Sequence, residues 1–341
     1  MNAPSEIETV EQLDELLSRP TPGVEAVLRQ LAGDVVVLGV AGKMGLTLAR
    51  MVRRALAAPH RVYGVARFTR ANARLELEQH GIETIACDLL DRASVAQLPD
   101  APYVIYMAGQ KFGTSAAPEI TWAMNTLAPA HAAERYARSR IVAFSTGCVY
   151  PLVSTESCGS REDDELGPPG DYANSCVGRE RIFTYFSKKH QTPVALVRLN
   201  YAIDLRYGVL LDIALKIWQG EPVDVTMGYV NVIWQRDANA QAIQCLAHAT
   251  VPPFVLNVTG PEKLSIRALA EKFGQLLDRP VKIRGTEAPT AWLNDSRRAW
   301  QLFDPPTASV DDMMRWVAAW IRRGGPTLGK PTHFEVRDGK F

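Results

Sequence analysis

The sequence predicts an α/β protein: a doubly wound parallel sheet followed by a smaller, mixed C-terminal domain. Three observations carry this reading. Short, wholly apolar runs alternate with helical patterns from residue 34 to residue 200, as strands buried on both faces and their crossover helices require. The first run leads directly into "GVAGKMG" (39–45), three glycines opening a helical pattern. After Asn200 the alternation loosens into separate amphipathic helices.

Residues 1–33 read as a helical extension. Thr9 and Gln12 have capping-box spacing, and "TPG" (21–23) puts a Pro just inside a second helix start. "DVVVLGV" (34–40) is the first strand, and Leu48, Met51, Val52, Ala55 and Leu56 follow at helical spacing. "RVYGVAR" (61–67), "IETIACD" (82–88) and "YVIYMAG" (103–109) are the next strands. A helix through "NTLAPAHAAERYARS" (125–139) takes Pro129 in its first turns. "RIVAFST" (140–146) is a fifth strand and "PVALVRL" (193–199) a sixth. The sheet domain is therefore 34–200, with 230–256 returning to it. Residues 201–229 and 257–341 form the second domain, with helices over 207–220, 264–279 and 310–324. The Gly/Pro-rich tail "GPTLGKPTHFEVRDGKF" (325–341) is expected on the surface.

Composition excludes several classes. Net charge is +1 with 22% charged residues, so nothing draws the chain broadly to nucleic acid or to an anionic membrane. No apolar run reaches the ~18 residues of a membrane span. The acidic N-terminus lacks the apolar stretch of a signal peptide. Five scattered cysteines without a CxxC pair read as reduced thiols of a cytoplasmic protein, with no metal centre.

Gly39, Gly42 and Gly45 between a strand and a helix allow a tight turn that offers a helix N-terminus to a pyrophosphate, as in a Rossmann-type dinucleotide site. Lys43 and Met44 lie in that turn. The second strand ends on Arg67, with Arg70 and Arg74 beyond it. A guanidinium grips a 2′-phosphate where a carboxylate would repel it, so NADP is expected over NAD; a solvated basic loop is the alternative. Asp88 suits a hydrogen bond to the adenine amino group, or caps the next helix.

Together "GVAGKMG", "CDLLD" (87–91), "MAG" (107–109), Asn125 opening a helix, "FSTGCVYP" (144–151) and "DYANSCVGRE" (171–180) resemble the extended short-chain dehydrogenase/reductases, in their epimerase/dehydratase branch. The resemblance implies cofactor contacts from Gly39, Gly42, Lys43, Met44, Gly45, Arg67, Asp88, Leu89, Ala108, Gly109, Ser145 and Tyr172. It makes Tyr172 the acid/base and Thr146 the residue that orients the reacting oxygen. It also implies a homodimer through a two-helix face. Four residues after Tyr172 the family carries a Lys; this chain carries Cys176. A neutral thiol cannot lower a phenol pKa of about 10, and it donates hydrogen bonds poorly. Lys111 is the expected substitute cation. Arg179, about two turns along the helix, is expected to fall short. Cys176 could also have a lowered pKa near the helix start and act as a redox switch, or be inert packing.

In the substrate half, Asn200 matches the family's substrate-touching Asn. Arg198 and Arg206 flank it and suit a carboxylate or phosphate, unless Arg198 pairs internally. Trp234 stands where the family has a His; it stacks on a sugar or fills the core. The family's basic diphosphate anchor is missing, which points to a small polar substrate. Arg297 and Arg298 make a further contact or a solvated pair. The expected function is an NAD(P)-dependent oxidoreductase or epimerase/dehydratase on a small carbohydrate-like or hydroxy-acid substrate. The alternative is a catalytically silent NADP-binding regulatory protein.

Overall fold

A computed structural model describes the 341-residue chain except residues 1–3, 5, 70, 112, 115 and 341. Arg70 thus lies outside the described residues. A seven-stranded sheet forms the centre, from β1 (Val35–Leu38), β2 (Val62–Ala66), β3 (Glu83–Ala86), β4 (Tyr103–Tyr106), β5 (Arg140–Thr146), β6 (Val194–Leu199) and β7 (Phe254–Val258). The order is β7-β6-β5-β4-β1-β2-β3, and every pair is parallel. The order reverses between β1 and β4, where ligands bind at strand C-termini.

Alternation along β1 builds both faces. Val35 and Val37 join a core with the helices Pro22–Gln30, Gly45–Ala55 and Gln235–Gln244. Val36 and Leu38 turn to the opposite core, which Phe183 of the helix Asp171–His190 completes. Six of the strands match apolar runs. The seventh, "FVLNV", starts inside the return expected over 230–256 and runs two residues beyond it. Its Asn257 hydrogen-bonds Tyr150 and the carbonyls of Ser160 and Asp295, so side-chain bonds accommodate a polar residue inside a buried strand.

The second domain has its own core, built by the helices Val209–Trp218, Ile266–Leu277 and Val310–Arg322. Trp234 belongs to it, 1% exposed, with its ring centroid 5.3 Å from that of Trp316. It packs in that core, as the packing alternative expects. The N-terminal extension is no appendage. Its first helix, Val10–Leu17, gives Leu13 and Leu17 to the second core, while the helix Pro22–Gln30 gives Val24 and Leu28 to the sheet core. Thr9 and Thr21 cap these helices as their spacing predicts.

Two expectations need adjustment. The helix predicted from Asn125 begins earlier, at Pro118, and passes Asn125 through a π-helical turn, Ala123–Leu127, before continuing as Ala128–Arg135. The tail runs along the surface as expected but is pinned at buried anchors. Thr332 and Phe334 are each 1% exposed, and Thr332 bonds the Asp212 carboxylate through its amide and hydroxyl at 2.7 and 2.6 Å.

Candidate active site

The glycine turn is held by its own geometry. Gly39 has φ +86, and a Cβ there would lie 2.6 Å from the Ala108 amide nitrogen. A Cβ on Gly45 would lie 2.2 Å from the Val40 carbonyl oxygen. Both positions therefore require glycine. The helix from Gly45 starts at Met44 with no side-chain cap and no acid in its first turn, leaving its N-terminal amides for an anion. This fits a dinucleotide pyrophosphate. Around the turn, Arg67 lies exposed past the end of β2. Arg74 is engaged by Glu78 and Thr84, each 3.0 Å away. Asp88 accepts from the Leu90 amide at 3.0 Å, and Asp91, not Asp88, caps the next helix. Leu89 is buried in the core.

Beside the turn, a cavity of about 130 Å³ is lined by Lys43, Met44, Lys111, Ser145, Thr146, Tyr172 and Asn200. These are candidates drawn from five separate stretches of sequence. Cys148, Tyr201, Tyr207 and Gln235 complete the wall; no spacing in the sequence marked them. Tyr201 is held at φ +42, a conformation a bulky residue adopts only under constraint. Its hydroxyl, and the Nδ2 of the 2%-exposed Asn200, are buried without a hydrogen-bond partner.

Burial holds the Tyr172 phenol well above the ordinary tyrosine range, and the Cys176 and Cys148 thiols push it the same way. The Arg179 charge and a hydrogen bond with Thr146 pull it down without overcoming burial. Tyr172 is therefore a neutral proton donor here. Arg179 reaches further than expected. It is buried, its guanidinium donates to the Phe144 carbonyl at 2.8 Å and to Asn125, and it packs against Gly109. Lys111 faces the cavity and donates to the Thr332 carbonyl at 3.1 Å. Burial lowers its pKa, against the pull of Cys148, Asp212 and Cys176.

Other candidates turn away from the cavity. Cys176 packs with Val149 and Tyr150, and burial raises its thiol pKa, which removes the low-pKa redox switch. Arg198 Nη2 lies 2.8 Å from Glu180 Oε2, and its Nη1 donates to Tyr150 Oη at 2.6 Å. Glu180 Oε1 also accepts from Ser145 Oγ at 2.6 Å. Arg206 pairs with Asp14 at 2.8 Å and Asp204 at 3.0 Å, tying the first helix to the second domain. These arginines are consumed internally and are not a substrate clamp. Arg297 closes on Asp295, and Arg298 lies over Phe254.

The family model described as "NAD dependent epimerase/dehydratase family" matches residues 35–203. No curated protein matches the chain by sequence. Among solved structures, Pal from Bacillus thuringiensis superposes with TM-score 0.71 at 18% identity, covering 85% of this chain and 99% of that one. DesIV, a dTDP-glucose 4,6-dehydratase from Streptomyces venezuelae with NAD and TYD bound, gives 0.73 at 16%, covering 85% and 97%. UDP-glucuronic acid 4-epimerase from Bacillus cereus, in complex with NAD, gives 0.71 at 17%, covering 85% and 99%. The fold is that of a Rossmann-type dinucleotide-binding protein. Residues 35–203 thus resemble the NAD-dependent epimerase/dehydratase family.

Proposed function

We propose that the chain is an NAD(P)-dependent oxidoreductase or epimerase/dehydratase acting on a small carbohydrate-like or hydroxy-acid substrate. One observation carries this: Tyr172, Thr146 and Lys111 line a single cavity beside the glycine turn. A bound nicotinamide supplies or takes up the hydride. Thr146 orients the reacting oxygen, the neutral Tyr172 phenol gives it a proton as a carbonyl becomes a carbinol, and Lys111 holds positive charge in the wall. The test is mass spectrometry of a metabolite extract incubated with cofactor and either the wild type or Tyr172→Phe. A compound consumed only by the wild type names the substrate. The variant should lose about 10²–10⁴-fold in turnover and keep its nucleotide affinity. Equal turnover in both would sink the assignment.

For the nucleotide we propose NADP, on the strength of Arg67 and the lack of a carboxylate at the end of β2. Two of the named neighbours, DesIV and the Bacillus cereus epimerase, carry NAD, so the discriminating variant is Arg67→Asp. It should swing the ratio of NADPH to NADH affinities toward NADH; an unmoved ratio rejects NADP. The free thiols of all five cysteines support a cytoplasmic setting, checked by thiol titration of protein taken directly from cells. A second reading, a silent NADP-binding regulator, draws on Cys176 standing where the family has Lys. It is the outcome if nucleotide binds and no metabolite changes.

A further inference from the structure

We propose that Tyr201 is a specificity-determining residue: with Asn200 it holds a second oxygen of the substrate, a hydroxyl or carbonyl other than the one at Tyr172, so that the substrate is a polyol or its ketone. The inference rests on the enzymatic reading above and deepens it. Asn200 and Tyr201 follow β6 and line the same cavity as Tyr172 and Thr146. In an extended chain, consecutive side chains point to opposite faces. At Tyr201 φ is +42, which rotates its side chain back toward the side of Asn200, and both reach one cavity. Their backbones are fixed. The Asn200 amide donates to the Val258 carbonyl at 3.0 Å, and its carbonyl accepts from Thr259 Oγ1 at 2.9 Å. The Tyr201 carbonyl accepts from the Ile233 amide at 3.2 Å, and its ring packs on the second core.

Each residue then carries a polar group that the fold does not use. Asn200 Nδ2 and the Tyr201 hydroxyl are buried and find no hydrogen-bond partner among the described residues. Cys148, Tyr207, Asp212 and Glu335 lie within electrostatic range of the phenol, and none of them bonds it. Burying such groups unpaired is costly, and the left-handed backbone of a bulky residue adds to the cost. Packing does not call for the hydroxyl, since a Phe would fill the same place and bury no polar atom. An oxygen of the substrate satisfies both groups at once. Their chemistry selects its kind. Burial keeps the phenol neutral, well above the ordinary tyrosine range, and the amide carries no charge. A carboxylate or phosphate draws its strength from charged donors; a hydroxyl or carbonyl is matched by neutral ones.

Tyr201→Phe removes the hydroxyl and keeps the ring. Saturation-transfer-difference NMR on the NADP-saturated protein compares glycerol, D-threitol and dihydroxyacetone with propan-2-ol and D-glycerate. The two polyols and the ketone should bind the wild type and lose about five-fold in affinity in the variant. NADPH affinity, read by its fluorescence, should not move. The free variant should melt at or above the wild-type temperature, because a buried unpaired hydroxyl has been removed. Equal affinity of wild type and variant for the polyols overturns the inference, as does binding of glycerate alone or of no probe. Weaker NADPH binding by the variant also overturns it, because the hydroxyl then serves the nucleotide. So does a melting temperature lowered by more than about 2 °C, because the hydroxyl then has a structural partner or a fixed water. Tyr201-dependent polyol binding without turnover of any metabolite keeps the inference and removes the enzyme reading; turnover whose KM and kcat are unchanged in Tyr201→Phe does the reverse.

Discussion

Lys43 is an ammonium held where water is scarce. Burial, followed by the charges of Lys111 and Lys330, lowers its pKa to about 7 against the opposing pull of Asp204 and Asp212. Between that value and the free-lysine value of about 10.4, the unfolded chain binds a proton that the folded chain does not. Stability from this group therefore rises with pH across that window, and the cost of burying the charge is fully present below it. Lys43→Met should accordingly raise the melting temperature most at and below pH 7, with the gain shrinking toward pH 10. Melting curves of both proteins from pH 6 to 10 check this; a constant difference contradicts it. Tyr172 lies on the other side of the same balance. With its phenol held neutral, a reduction catalysed by this site should show no rising limb from Tyr172 deprotonation near neutrality.

The buried pair Arg198–Glu180 joins β6 to the helix Asp171–His190 and fixes Ser145 through the same carboxylate. Arg198→Met would strand Glu180 in the interior at a cost of about 3–5 kcal/mol, read by chemical denaturation; a loss under about 1 kcal/mol would show the carboxylate finding another partner. At this scale the sequence was legible where one local rule sufficed. The six apolar runs became strands, and the glycine turn needed only chain geometry. Legibility failed where a side chain had two plausible partners. Arg198 and Arg206 looked like ligand clamps because nothing in their spacing shows that Glu180, 18 residues away, and Asp14, 192 residues away, would reach them first. Tyr201 and Tyr207 line the cavity through a turn whose strained backbone has no sequence signature. The Arg179 guanidinium bonds the Phe144 carbonyl and Asn125 rather than Tyr172, and acts on the phenol through its charge alone.

Among the described residues, several of the exposed large hydrophobics fall on two helical segments that touch each other. Ile120, Trp122, Leu127 and Tyr185 are 48%, 38%, 54% and 57% exposed on the adjoining segments 118–135 and 171–190. We propose that this is the homodimer face that the family resemblance implies. Leu127→Asp combined with Tyr185→Asp should halve the mass measured by light scattering; a wild type already monomeric would refute the proposal. No helix among the described residues is long and apolar enough to cross a membrane. The change in periodicity at Asn200 marks where most residues of the second hydrophobic core begin. The destination of the extremities was not legible, since Gly/Pro-rich composition describes a path and not where it leads.

That destination bears on how the protein is made. The Thr332 carbonyl that accepts from Lys111 belongs to a segment synthesised more than two hundred residues later. A nascent chain can form β1 to β6 and the glycine turn while it is still tethered to the ribosome. The cavity wall gains this last contact only after translation has passed the tail. A nucleotide cradle that matures early and a reaction chamber that matures late would let cofactor loading precede catalytic competence in the life of each molecule.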